Sequence, residues 1–295
     1  MSRTITPPQS EFLNDRAGSI AISNSTPLSD FIQETLALTR RLFIQLKRRP
    51  STLAAGIIQP LMWLVLFGAL FQNAPQGLFG ESASYGQFLG AGIIVFTAFG
   101  GALNAGLPVM FDREFGFLNR LLVAPLASRF SIVMASAIFI TTLSLIQTAA
   151  IVVMSALLGS GLPNAFGLAL VGLIVLMLVL AVTALSLGLA FALPGHIELI
   201  AVIFVTNLPL LFASTALVPL SFMPKWLQVV ATLNPLSYAI EPIRYVYLHS
   251  DWNLGSVVVN APWGSVTMGM SLLILLAFNV VAFLAIQPLL KRTLA

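Results

Sequence analysis

Three groupings in this sequence hold residues that could do chemistry. Asp112-Arg113-Glu114, followed by Arg120 and Arg129, sets two acids and three bases within eighteen positions. Glu241 and Arg244 stand three apart, the spacing at which side chains on one helix face meet. His196 and Glu198 flank a turn that begins at Pro194-Gly195. The first grouping could grip a charged surface, the second could pair out of water, and the third could relay a proton. None has the make-up of a covalent or metal centre. The chain has no cysteine, which removes thiolate nucleophiles, disulfides and thiolate-ligated metals. His196 and His249 are the two histidines, and neither has a nearby His or Cys partner for a metal site.

The elements that must position these groups are more apolar than a soluble domain. Of 295 residues, 58% are hydrophobic and 8% charged, and the mean hydropathy is +0.97. Soluble domains carry about a quarter charged residues. A bilayer can hide this much apolar surface, so the expected class is an all-α polytopic membrane protein. The net charge of +4 would suggest nucleic acid in a soluble chain. Here the bases gather where apolar runs end, as orientation signals do, and no nucleic-acid partner is expected.

Residues 1–28 are polar and read as a disordered cytoplasmic tail. Residues 29–49 read as a basic amphipathic helix lying in the headgroup layer. Ser29 would be its N-cap, Phe31, Leu38, Leu42 and Leu46 its apolar face, joined by Ile32, Leu36 and Phe43. Arg40, Arg41, Lys47, Arg48 and Arg49 would meet anionic lipid. Six spans follow at about 53–72, 87–110, 130–158, 166–193, 197–217 and 266–287, with Pro60 kinking the first. Between the last two, prolines break residues 218–265 into pieces too short to cross. Trp226–Leu233 and Tyr238–Leu248 then form a re-entrant pair of half-helices, or a lid. Ten Lys and Arg fall on one side of these spans and two on the other. That puts both termini in the cytoplasm and the chain in the plasma (inner) membrane. Asn104, Gln147, Thr183, Thr206 and Asn207 lie inside spans, where interhelical hydrogen bonds would account for them and substrate contact is the other reading.

Glu114 and Arg120 bracket an apolar stretch containing Gly116. Leu118, Leu121 and Leu122 could form a leucine edge, and Pro125 bends the chain before the third span. An ordinary positive-inside loop needs only the bases, so two readings stand. Asn234-Pro235 suits a helix start. Glu241 and Arg244, with Tyr238, could shape an outer gate or form a structural ion pair.

Several of these stretches resemble the type-2 ABC transporter permeases, membrane subunits of drug, polysaccharide and related exporters. The similarity lies in Glu114-Phe115-Gly116, Leu118-Asn119-Arg120-Leu121-Leu122 and Pro125-Leu126. It continues in Pro219 to Leu227, in Leu233-Asn234-Pro235-Leu236-Ser237-Tyr238, in Arg244 and in the Arg-rich helix before the first span. It covers about residues 30–292. The resemblance implies a dimer of six-span subunits, each served by a separate ATP-binding subunit that holds the ATP and magnesium. It makes Glu114, Gly116, Leu118, Arg120, Leu121 and Pro125 a coupling helix within the loop 112–129. No Gly-x-x-x-x-Gly-Lys-Ser/Thr loop occurs, and none of the three lysines follows a glycine, so this chain is not expected to be an enzyme or to bind a cofactor. An ion-coupled secondary transporter would need ionisable groups at mid-membrane, and an intramembrane enzyme would need a His cluster, a cysteine or an acidic pair. The spans as read offer essentially none of these.

Overall fold

The computed structural model describes residues 27–71, 73, 85–116, 130–158 and 161–294. Helix α1 (Pro27–Arg48) has Asp30 in its first turn and Lys47 and Arg48 in its last, an order that suits the helix dipole. It starts two residues ahead of Ser29, which is therefore inside the helix and not its cap. Pro50 opens α2 (Pro50–Leu70), which runs through Pro60 without ending. Then come α3 (Tyr85–Leu103), α4 (Gly106–Glu114), α5 (Phe130–Leu157), α6 (Ala165–Ala192) and α7 (His196–Phe212). A 3₁₀ turn (Leu220–Phe222), α8 (Lys225–Leu233) and α9 (Ser237–Leu248) follow. Two strands, β1 (Val257–Ala261) and β2 (Gly264–Thr267), lead into α10 (Met268–Leu294).

Helices α3 and α6 form the middle of the bundle and pack on each other, on α5 and on α9. In its most apolar stretch α3 is 67% buried, against 11% for α2 and 22% for α10. The outer helices thus leave one long face for lipid, with Leu66, Leu273 and Leu284 exposed. Helix α1 lies along α5, with Phe31 stacked on Phe130 and Phe43 edge-on to Phe139. Thr35 and Thr39 are buried there, while Ile32 and Leu36 of the apolar face are exposed.

The second span is not one helix. It breaks at Asn104-Ala105, and Ser186 of α6 splints the break. Its hydroxyl donates to the Leu103 carbonyl at 2.6 Å and accepts from the Gly106 N–H at 2.9 Å. A Cβ at Gly106 would press on the Ser186 carbonyl, so glycine lets the backbones meet.

The fifth span also departs from expectation. Among the described residues, five helices are long and apolar enough to cross a membrane, and α7 is not one of them. Its 17 residues extend about 25 Å at about 1.5 Å per residue. An apolar run to Leu217 gave no sign of the early stop. Yet α7 begins beside Glu114, at the loop end of the bundle, and the chain reaches the opposite, hairpin end, where the Leu217 carbonyl accepts from the hydroxyl of Tyr85, first residue of α3. The unwound residues 213–217 complete that traverse.

Helices α8 and α9 fall on the two short segments expected to be helical, Trp226–Leu233 and Tyr238–Leu248. The hairpin after them was not expected, because Pro262 had been read only as a break. β1 and β2 pair antiparallel, with Val259 opposite Val266 and both buried. Gly264, at φ 145°, supplies a backbone conformation that L side chains rarely adopt.

Candidate functional site

At the loop end, three consecutive residues each hold a different element. The Asp112 carboxylate takes a two-pronged salt bridge from Arg41 of α1, both contacts at 3.0 Å. Arg113 donates to the carbonyls of Ala190, Leu193 and Pro194 at 2.9, 2.5 and 2.7 Å. These belong to the end of α6 and the corner after it, where helical carbonyls lack partners and a cation suits the dipole. Glu114 accepts from the His196 backbone N–H at 2.6 Å, and its other oxygen meets His196 Nδ1 at 2.5 Å. That N–H opens α7, where an anion is favoured. Neighbours of opposite sign therefore complement the two helix ends that flank residues 193–195. A Cβ at Gly195 would lie 3.0 Å from the Glu114 Oε1 and 2.9 Å from the Glu198 Oε2, which leaves the corner little room.

Gly116 follows with φ 73°, and its N–H bonds the Arg113 carbonyl at 3.3 Å. It is the left-handed residue that stops α4. Phe115 beside it is 80% exposed, its ring stacked on Phe111 at 6.1 Å between centroids. Leu118, Arg120, Leu121 and Pro125 lie outside the described residues. Of the bases on α1, Arg40, Lys47 and Arg48 are exposed, as is Arg49 just after it. Arg41 instead faces Asp112 and was wrongly grouped with the lipid-facing charges.

At the hairpin end the second grouping is a buried brace. Arg244 is 5% exposed. It meets Glu241 at 2.5 Å, the Thr215 carbonyl at 2.6 Å and the Phe88 carbonyl at 3.2 Å, with its guanidinium 3.6 Å from the centre of the Phe88 ring. Asn234 donates to the carbonyls of Leu210 and Ala213, at 2.8 and 2.6 Å, and its oxygen accepts from the Leu236 N–H. It closes the end of α7 and turns the chain through Pro235, so α9 starts at Ser237 and not at Pro235. Tyr238 donates to the Thr232 carbonyl at 2.6 Å, and the Ser237 hydroxyl accepts from the Thr215 N–H. Non-helical backbone at membrane depth persists only when its polar groups find partners. Asn234, Ser237 and Arg244 supply them to the unwound end of α7, while the Ala216 carbonyl rests where a Cβ at Gly92 would sit.

The sequence singled out Glu114, Glu241 and Arg244. It grouped Asp112 and Arg113 with Glu114 but gave no sign of their partners, Arg41 and the carbonyls at the end of α6. The available signal was an Arg-Glu pair in one loop and a Pro-Gly corner in another, which is a hint of helix-end capping but no address. His196 meets Glu114 and not Glu198.

Comparisons with known proteins agree with this architecture. Residues 33–248 match the ABC-2 type transporter family. A protein of Porphyra purpurea named as transport permease ycf38 is 57% identical over 265 residues, which is 90% of this chain and 91% of that one. One of Cyanophora paradoxa with the same name is 55% identical over 269 residues, 91% of this chain and 93% of its own. A Mycobacterium tuberculosis protein named as doxorubicin resistance ABC transporter permease protein DrrC is 27% identical over 230 residues, 72% of this chain and 76% of that one. With its apolar helices, broken spans and charged loop, the chain is a multi-pass membrane permease and belongs to the ABC-2 type transporter family.

Proposed function

We propose that this chain is the membrane subunit of an ATP-driven exporter, moved by a separate ATP-binding subunit that docks on the loop 112–129. The observation that carries the reading is the triple tie of Asp112, Arg113 and Glu114 to α1, to the end of α6 and to the start of α7. A force applied to the loop after Gly116 would reach all three elements through these hydrogen-bonded groups. Phe115, exposed at the loop's root, is a natural contact for the docking subunit. In this account the ATP cycle shifts the loop, the α6–α7 corner follows, and the bundle rocks between two packed arrangements. ATP and magnesium are handled by the partner and not by this chain.

The excess of Lys and Arg at the loop side supports an orientation with that loop and both termini in the cytoplasm; export from the cytoplasm or inner leaflet across the plasma membrane is the reading that the family resemblance suggests. A substrate of the drug, lipid or glycan class fits the relationship to a permease named for doxorubicin resistance. Two copies of this chain, or this chain and a related one, would form the transmembrane path, with the exposed bases of α1 held against lipid headgroups.

Because the chain has no cysteine, Arg120→Cys makes a single-label probe of the loop. In sealed vesicles carrying the ATP-binding subunit, an impermeant maleimide should reach this position only from the nucleotide side. Bound ATPase should protect it, and the chain should change the ATPase rate. Labelling from the opposite side, or an ATPase indifferent to the chain, would overturn the reading.

A further inference from the structure

Interhelical hydrogen bonds were expected to account for the polar residues inside the spans, and along α5 they do not. The hydroxyls of Ser144, Thr148 and Ser155 and the Oε1 of Gln147 are enclosed with no hydrogen-bond partner. Their residues are only 1%, 5%, 1% and 6% exposed. At 100° per residue they share one arc of the helix, and they extend about 16 Å along it. Opposite, glycines let the neighbouring helices come close. A Cβ at Gly101 would be 3.4 Å from the Ser144 hydroxyl, and one at Gly90 would be 3.2 Å from that of Ser155. Gly56 of α2 leaves the room that the Gln147 amide fills.

Unmet polar groups are costly in a medium without water. Alanine or valine would have packed the same seam at no such cost. These orphans on one arc, joined by the Thr141 hydroxyl one turn below Ser144, stand against three glycines on two neighbouring helices and mark a surface whose partners are absent from this conformation. None of α2, α3 and α5 carries a charged residue, so a charged group entering here would go uncompensated.

We propose that the seam between α5 and the glycine faces of α2 and α3 is a closed binding path. It takes the neutral, hydroxyl- or amide-bearing part of a membrane-dissolved substrate. The path runs from Ser155 and Gly90 near the hairpin end to Ser144 and Gly101 nearer the loop end, and it opens when α5 parts from α2 and α3. This deepens the transport reading and rests on it for the opening motion, while the polar seam itself is testable without the ATPase.

The first test uses Ser144→Cys in proteoliposomes with the ATP-binding subunit and an apolar maleimide. Labelling should be slow without nucleotide and severalfold faster during ATP turnover. Added monoolein, with a neutral diol head, should slow it, and oleic acid at equal concentration should not. Unchanged labelling during turnover, or equal protection by both lipids, would overturn the proposal.

The second test needs no ATPase. The triple variant Ser144→Ala, Thr148→Val, Ser155→Ala removes three hydroxyls, with a methyl in place of the one at 148. It should raise the melting temperature of the purified chain and abolish the upward shift that monoolein gives the unaltered chain. A lowered melting temperature would show that the hydroxyls are structural and would sink the proposal. If the unaltered chain leaves the ATPase rate unchanged, the transport reading fails and this second test alone decides the seam.

Discussion

Arg113 and Arg244 do the same job at opposite ends of the molecule. Each collects backbone carbonyls that a broken helix leaves unmet, Arg113 at the end of α6 and Arg244 at the unwound end of α7. Their settings differ. Arg113 is half exposed beside a loop, while Arg244 is buried against Phe88 and its charge is met by Glu241. Water can replace Arg113, and nothing can replace Arg244. The same chemistry therefore makes one end of the bundle yielding and the other fixed, which is what a transporter pushed from the loop end would need.

Removing the buried guanidinium should have the largest effect. Arg244→Met leaves Glu241 and two carbonyls without partners, and breaking such a buried pair costs about 3–5 kcal/mol. The expected result is loss of folded protein by size exclusion. Adding Glu241→Gln should recover part of the loss. Exchanging the two charges should not, because a carboxylate at 244 cannot donate to the carbonyls of Phe88 and Thr215.

Next in size is Gly92→Ala, which drives a methyl into the Ala216 carbonyl. Overpacking of this kind costs about 1–3 kcal/mol, and a melting temperature equal to that of the unaltered chain would mean that the unwound segment is not seated there. Arg113→Gln should cost about 1 kcal/mol, since water takes over some of the carbonyls, while export falls more than stability does. Arg41→Gln should be the mildest. Its pair with Asp112 is 30% and 28% exposed, so about 0.5 kcal/mol is expected, shrinking as salt is added. If Arg113→Gln proved as destructive as Arg244→Met, the contrast between the two ends would be wrong.

Much of the scaffold could be read from the apolar runs, because a span is a matter of length and composition. Helix α6, with a mean hydropathy of 3.0, could hardly be misread. Where the runs misled, tertiary contacts had taken over. The local sign that α7 stops at Phe212 is slight: the Ser214 hydroxyl donates to the Leu211 carbonyl and accepts from the Ala216 N–H, within an apolar run. The stop depends on Asn234, Ser237 and Arg244, which lie at least 21 residues away from the carbonyls and N–H they hold. Glu241 and Arg244 could be paired from their spacing alone, but the two carbonyls that make Arg244 a brace are 29 and 156 residues distant. The loop-end corner was half legible. Glu114 stood out as an acid in a basic loop, whereas its partner His196 is 82 residues on and had been matched by proximity to Glu198.

The account turns on Glu114 passing motion from the loop to α7. In proteoliposomes holding the chain and its ATP-binding subunit, Glu114→Gln should leave complex assembly and ATP turnover near their unaltered rates while ATP-driven efflux falls by about tenfold, the loss of one charge-assisted contact read as rate. Efflux that stays in step with ATP turnover in this variant would contradict the account.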